Sequence, residues 1–193
     1  MRECHASYDD IVLIGHSLGT LLAILSVNLS SKIRGLILIN SPLAVRVSAR
    51  AVRINLAIGR GKEISEGHIA YAASKAISVG VGRLWEYLTW LPRLRDLFYY
   101  IKEAKAVLPS LTCPMVFFHS AHDELIGDKC LRLIRSIPPA DCSEAVVLQH
   151  STHFEYPDAD FRIMCRVITE KLRAVGNAGP CVHVYVHAKY ERP

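Results

Sequence analysis

Residues 15–19, Gly-His-Ser-Leu-Gly, constrain the fold of this chain more than any other segment. They follow an apolar, β-branched run at 11–14 (IVLI), typical of a strand buried on both faces of a parallel sheet, and they open a helical pattern at 17–29. A serine between two glycines in this context predicts a turn so tight that both flanking positions must be small. The turn would lift the serine hydroxyl above the strand ends. We therefore predict that Ser17 is a nucleophile and that the amide of Leu18 stabilises an oxyanion, the alternative being a glycine-rich packing turn.

A membrane-spanning helix is a competing interpretation of residues 11–29, because the segment is about long enough to cross a bilayer. Its polar residues argue against this, since they are costly in hydrocarbon; besides two glycines they are His16, Ser17, Thr20, Ser26 and Asn28. A strand, a sharp turn and a helix explain the same residues better. We expect no stable membrane insertion.

Strand-like and helix-like segments alternate along most of the chain. Buried-strand patterns at 33–39, 114–118 and 145–148 are accompanied by helical patterns at 125–137 and 158–175. This order predicts an α/β fold with a mostly parallel sheet and helices on both faces. Residues 43–111 interrupt the order with a mainly helical, basic segment.

A serine hydroxyl reacts only when a base removes its proton and an acid holds that base. The loop 119–124 (HSAHDE) leaves the end of a predicted strand, where parallel sheets place their ligands. We predict Asp123 as the acid, with Glu124 or Asp128 as alternatives. A purely structural role for Asp123, as the N-cap of the next helix, is also open.

A second loop, 149–154 (QHSTHF), leaves the next predicted strand and contains two histidines. His153, just before the last helix, is the predicted base, and His150 is the alternative. We expect structural or supporting roles for His16, His119 and His122, with the His16 side chain pointing away from the serine.

These three segments make the chain resemble the α/β-hydrolase superfamily, in particular its small carboxylesterase, monoacylglycerol lipase and serine-aminopeptidase-like branch. The resemblance covers about residues 10–175 and is carried by residues 15–19, by 114–123 (PMVFFHSAHD, with Ser120 where the family has glycine) and by 151–154 (STHF). It implies a serine hydrolase that cleaves a carboxylic ester or related acyl bond of a small molecule through an acyl-enzyme. Ser17, Asp123 and His153 would form its triad, and no cofactor or metal is implied. Acyl transfer to another acceptor, and an inactive fragment or interaction module, are the alternatives.

The same resemblance implies a single domain in which residues 43–111 form a mobile helical cap over the acyl or alcohol pocket. Aromatic side chains of this cap suggest an acyl or aromatic substrate group, although they could equally form the cap's own core. They are Trp85, Tyr87, Trp90, Phe98, Tyr99 and Tyr100.

The sequence departs from the family at its start. About four strands and an oxyanion loop precede the serine in the family, whereas ten residues precede the strand here. We therefore expect an N-terminally truncated fold without the second oxyanion donor, whose loss typically costs about 10²–10³ in turnover. We also expect an unpaired apolar edge at 11–14, with self-association, poor solubility and little esterase activity.

Charge, cysteines and the tail complete the expectations. The net charge of +5 comes without a long basic run, so we expect no nucleic-acid partner. The six cysteines are scattered, which predicts reduced, mostly buried thiols. Together with an acidic start this predicts a cytoplasmic location. In the tail, about 176–193, an alternating pattern at 181–189 predicts an extra strand, and metal binding by His183 and His187 is a weaker alternative.

Overall fold

The computed structural model of the protein describes residues 8–45, 53, 91–139 and 142–175, and it describes 91–94 by their backbone only. Most of the predicted cap, including Trp85, Tyr87 and Trp90, therefore lies outside the described residues. The predicted tail strand, with His183 and His187, lies outside them as well.

The described strands form one sheet in which every pairing is parallel, in the order β1-β2-β3-β4. They are β1 (Ile11–His16), β2 (Ile33–Ile39), β3 (Met115–Ser120) and β4 (Ser143–Leu148). The parallel sheet predicted from the alternating pattern is confirmed. The bounds of β2 agree with the prediction. The strands β1 and β4 are each longer than predicted at one end, and β3 begins one residue later and ends two residues later than predicted.

Four helices accompany the sheet in the described residues: α1 (Leu18–Ser26), α2 (Leu91–Val107), α3 (Asp128–Ser136) and α4 (Asp158–Val175). Short 3₁₀ turns, Val27–Leu29 and Leu108–Ser110, follow α1 and α2. The helix α4 has the predicted bounds. The helix α3 begins three residues later than predicted: the amides of Leu125 and Ile126 bind the carboxylate of Asp123 in the turn before it, and Ile126 forms an antiparallel β-bridge with Val45.

Helices cover both faces of the sheet, as the fold prediction requires. Side chains alternate between faces along a strand, so Leu36 and Leu38 of β2 pack on one side and Ile37 packs on the other. The first cluster also contains buried residues of α1, α2 and α3, and the second contains Met164 and Val167 of α4. Strands buried on both faces consist mostly of apolar residues, as β2 and β3 do.

The strand β1 lies at one edge of the described sheet, with β2 as its partner. Its apolar side chains are less buried than those of β2 and β3, and Ile14 is 47% exposed. The segment 11–29 is divided between this strand and the nine-residue helix α1. Within the described residues, no helix has the length and apolar character needed to cross a membrane.

The cysteines in the described residues are free thiols. Of these thiols, Cys130 is buried, Cys113 and Cys142 are partly buried, and Cys165 is exposed. The expectation of mostly buried thiols is therefore wrong for the described residues. Burial lowers the reactivity of Cys130 by raising the pKa of its thiol.

Candidate active site

The carboxyl ends of the four strands meet at one edge of the sheet, and the loops that leave β1, β3 and β4 carry the three residues predicted to react. Backbone hydrogen bonds hold these loops together: the Ser17 amide donates to the Ile39 carbonyl at 2.9 Å, and the Ala121 amide donates to the Leu148 carbonyl at 2.9 Å. Parallel pairing in register brings together loops that are far apart in the sequence.

Ser17 occupies the sharp turn between β1 and α1 with φ 52° and ψ −123°, a backbone conformation that side chains with a Cβ rarely adopt. The turn places the backbone of Gly19 and Thr20 over Gly15, where a Cβ would lie 2.5 Å from the Gly19 carbonyl oxygen. Position 15 must therefore be glycine. At position 19 a Cβ would meet no atom of the described residues within 4 Å, so glycine is not required there.

Leu18 is the first residue of α1. Its amide is one of the first-turn N–H groups that have no carbonyl acceptor within their own helix, and the helix dipole adds a partial positive charge at this end. The Leu18 amide thus follows the Ser17 hydroxyl directly in a helix N-terminus suited to an anion.

A continuous chain of hydrogen bonds joins the three predicted residues. The Nδ1 atom of His153 lies 2.6 Å from Oδ2 of Asp123, and its Nε2 atom lies 3.0 Å from Oγ of Ser17. An ionised carboxylate only accepts hydrogen bonds, so Nδ1 carries the proton of the neutral ring and Nε2 is left as the acceptor for the serine hydroxyl. Asp123 and His153 are each 1% exposed.

Asp123 is fixed by its second carboxylate oxygen. Oδ1 accepts the amides of Leu125 and Ile126, both at 2.8 Å, which leaves Oδ2 for the histidine. The N-cap of α3 is Gly127, so the alternative role of Asp123 as that cap is wrong.

The two alternative acids lie elsewhere. Glu124 accepts the main-chain amide of His153 at 3.0 Å through Oε2, and it contacts the base through the backbone. Asp128 is exposed in the first turn of α3.

The loop before His153 is tied to the start of α4 by Asp160, which is 2% exposed. One carboxylate oxygen of Asp160 accepts the amide of His150 at 2.7 Å and the hydroxyl of Ser151 at 2.8 Å. Burial acts to raise the pKa of Asp160, but the hydrogen bonds from Ser151 and His150 outweigh it, so the pKa lies below its usual value. The side chain of His150, the alternative base, is exposed.

Three polar side chains contact the main-chain carbonyl oxygen of His153, and sequence reasoning assigned no such contact to any of them. They are His16, Asn40 and Tyr156. Asn40 comes directly after β2, which ends at Ile39. A polar residue directly after a buried strand, at the edge where the site forms, was the available signal.

Of the remaining predicted histidines, His119 is buried in β3 and His122 is exposed. In the part of the chain that the structure describes, no group of His, Cys, Asp and Glu side chains is arranged to hold a metal ion.

A parallel sheet covered by helices on both faces, with a serine on the tight turn between a strand and a helix, is the architecture of the α/β hydrolases. The comparison with known families agrees: the sequence model described as "Alpha/beta hydrolase family" matches residues 2–162. The chain belongs to the alpha/beta hydrolase family. No curated protein has a matching sequence.

Solved structures of similar fold come from several sources. A structure from the metagenome-derived lipolytic enzymes LipS and LipT has a TM-score of 0.63 at 18% identity, covering 90% of this chain and 69% of its own. The monoacylglycerol lipase of Paleococcus ferrophilus has a TM-score of 0.60 at 17% identity, covering 90% of this chain and 72% of its own. The thioesterase domain from the curacin biosynthetic pathway has a TM-score of 0.52 at 19% identity, covering 86% of this chain and 69% of its own. At these identities the similarity concerns the fold.

Proposed function

We propose that the protein is a serine hydrolase that cleaves a carboxylic ester, or a related acyl bond such as a thioester, through an acyl-enzyme on Ser17. The observation that carries the proposal is the hydrogen-bonded chain from Asp123 through His153 to Ser17, with separations of 2.6 and 3.0 Å. A serine, a histidine and a carboxylate in this order of contact are the parts that nucleophilic acyl transfer needs.

In the first half of the reaction, Oγ of Ser17 attacks the substrate carbonyl carbon while its proton moves to Nε2 of His153. The resulting imidazolium is stabilised by Asp123, whose Oδ2 accepts the Nδ1 proton. His153 then gives its new proton to the departing alcohol or thiol, and the acyl group stays on Ser17. In the second half, His153 removes a proton from water, the hydroxide attacks the acyl-enzyme, and Ser17 recovers its proton as the acid leaves.

The negative charge of each tetrahedral intermediate would fall beside the Leu18 amide at the start of α1. A donor already oriented in the folded state stabilises such a charge without reorganising, and one donor of this kind is worth about 10²–10³ in turnover. We assign Leu18 as one oxyanion donor on this ground.

Apolar side chains beside the reacting groups favour a substrate with an apolar acyl group. Leu18 and Leu22 lie one helical turn apart at the start of α1 and are 44% and 46% exposed. The ring of Phe154 packs edge-on against that of His153, at 4.6 Å between centroids. Similar solved structures are named as lipolytic enzymes, a monoacylglycerol lipase and a thioesterase domain, and these names support a carboxylic ester or thioester as the bond that is cleaved.

The first test is labelling of the 193-residue protein with a fluorophosphonate, which reacts only with an activated serine. We expect wild type and Ser31→Ala to be labelled and Ser17→Ala to be unlabelled; Ser31 is an exposed serine outside the site and serves as the matched control. Folded wild type that is not labelled would overturn the proposal in favour of an inactive or interaction module.

The second test separates hydrolysis from acyl transfer. p-Nitrophenyl esters of short to medium acyl length should be cleaved well when the second oxyanion donor is supplied and only slowly by the 193-residue chain. Uncharged acyl groups should be preferred, because the exposed side chains of Leu18 and Leu22 and the ring of Phe154 are apolar. Product analysis in the presence of an added alcohol should show the free acid as the main product. A strict preference for charged esters, or an ester of the added alcohol as the main product, would contradict this assignment.

A further inference from the structure

The main-chain carbonyl oxygen of His153 is a meeting point for side chains from separate parts of the fold. Nε2 of His16, at the end of β1, lies 3.0 Å from it. The hydroxyl of Tyr156 donates to it at 3.2 Å, and Nδ2 of Asn40, just after β2, donates at 3.3 Å. Because a carbonyl oxygen only accepts hydrogen bonds, His16 must carry a proton on Nε2.

Asn40 is itself held rigidly. It is completely buried, its own amide donates to the Phe118 carbonyl at 2.8 Å, and its Oδ1 accepts the amide of Ser120 at 2.9 Å. Its Nδ2 also donates to the Tyr156 hydroxyl at 2.9 Å. With φ at 49°, Asn40 adopts the left-handed conformation that asparagine tolerates better than most residues. The side-chain amide of Asn40, which donates to the His153 carbonyl, is therefore fixed to the end of β3.

His153 needs such support because it lies in irregular chain between β4 and α4, where no sheet or helix hydrogen bonds set its position. Its ring must reach Asp123 on one side and Ser17 on the other. A displacement of about 1 Å in a reacting group can lower a rate by about 10².

We propose that His16, Asn40 and Tyr156 are positioning residues that hold the base, His153, through its main-chain carbonyl. The inference rests on the proposed serine hydrolase function. His16 adds a direct link between the two reacting groups, since it precedes Ser17 in the chain and contacts the backbone of His153.

The surroundings of His16 and Tyr156 keep both side chains in the protonation state that the positioning role needs. Desolvation lowers the pKa of His16, so its ring is neutral near pH 7 and adds no positive charge beside the His153 ring, 5.1 Å away between centroids. Burial raises the pKa of Tyr156, so its hydroxyl keeps the proton that it donates.

The test uses the 193-residue protein with His16→Phe and Tyr156→Phe, which keep a ring and remove the donor. His16→Gln keeps an N–H donor and should restore the contact. Thr169→Val is the matched control: it removes a hydroxyl that donates to a main-chain carbonyl, that of Cys165 at 2.7 Å, on the exposed side of α4. Asn40→Ala is the stronger change, but it leaves the buried Ser120 amide without its acceptor and can fail through folding.

The first readout is the rate of fluorophosphonate labelling at saturating probe, alongside the probe's binding constant and the melting temperature. We expect His16→Phe and Tyr156→Phe to lower the saturating rate about 10- to 100-fold with little change in probe binding. His16→Gln should recover most of the rate, and Thr169→Val should match wild type. Variants that only melt earlier, with unchanged rates per folded molecule, would overturn the positioning role.

The second readout does not depend on activity. The proton on Nδ1 of His153 bonds to Asp123 at short range, and it should give a downfield proton NMR resonance in wild type. His16→Phe should broaden or shift that resonance, and His16→Gln should restore it. If wild type is not labelled, the proposed function fails while this resonance still decides the positioning role; a resonance identical in wild type and His16→Phe would overturn it.

Discussion

Replacing Gly15 by alanine should damage the turn that carries Ser17, whereas the same change at Gly19 should be harmless. Both glycines flank the serine in the sequence, yet the structure treats them differently. A Cβ at position 15 would lie 2.5 Å from the Gly19 carbonyl oxygen, 2.6 Å from its carbon and 2.7 Å from the Thr20 amide nitrogen. A Cβ at position 19 would meet nothing in the described residues within 4 Å.

The size of the effect follows from these distances. Ordinary contact of a Cβ begins at 3.4 Å, so the backbone of α1 must move away from β1 by about 0.9 Å to accept alanine at position 15. Overpacking of this kind typically costs about 1–3 kcal/mol in the free energy of unfolding. For a chain of this length, each kcal/mol lowers the melting temperature by about 2–4 °C. The same movement displaces Ser17 from His153 and should lower the labelling rate by about 10².

Gly19→Ala is the matched control, because Gly19 lies within α1 and has an ordinary helical surrounding. Alanine stabilises a helix by up to about 1 kcal/mol relative to glycine, so this variant should melt at or above the wild-type temperature. Differential scanning calorimetry and fluorophosphonate labelling measure both quantities on each variant. The reasoning is refuted if Gly15→Ala melts and reacts like wild type, or if Gly19→Ala loses as much stability as Gly15→Ala.

Three further predictions concern the backbone conformation of Ser17, the buried charge of Asp160 and the sheet edge at Ile14. Ser17→Gly should be more stable than Ser17→Ala by about 1 kcal/mol in the free energy of unfolding, because glycine adopts the positive φ of 52° without strain; the usual order, with alanine more stable, would contradict this. Asp160→Asn should lower the free energy of unfolding in urea by about 1–3 kcal/mol at neutral pH. Because the folded-state pKa of Asp160 lies below its usual 3.8, the stabilisation is present above pH 3.8 and is lost as the pH falls through the folded-state value, so wild type and variant should converge in acid; a constant difference would rule this out. Ile14→Lys, at the 47%-exposed edge position, should reduce self-association in sedimentation measurements, and a wild-type chain that is monomeric at high concentration would show that the edge does not pair.

Much of the fold could be predicted from the sequence, because local pattern and fold agree. The mostly apolar segment 33–39 is a strand with the predicted bounds, and the amphipathic pattern at 158–175 is a helix with the predicted bounds. Both depend on the period of apolar residues, which is a local property. The start of α3 could not be found this way, because Ile126 is held in a β-bridge to Val45, a contact that exists only in the tertiary structure.

For the candidate site, the sequence by itself determined which loops would meet and in which order: parallel strands bring their carboxyl ends to one edge, and Ser17, Asp123 and His153 each follow one of them. Only the tertiary structure decided that Gly15 is sterically required while Gly19 is not, and that Glu124 binds the backbone of His153 rather than its ring. It alone brought His16 to the His153 carbonyl across 137 positions of the chain, and Asn40 to the Ser120 amide across 80. Such contacts depend on the register of neighbouring strands and on side-chain directions at their ends, and local sequence patterns do not determine either.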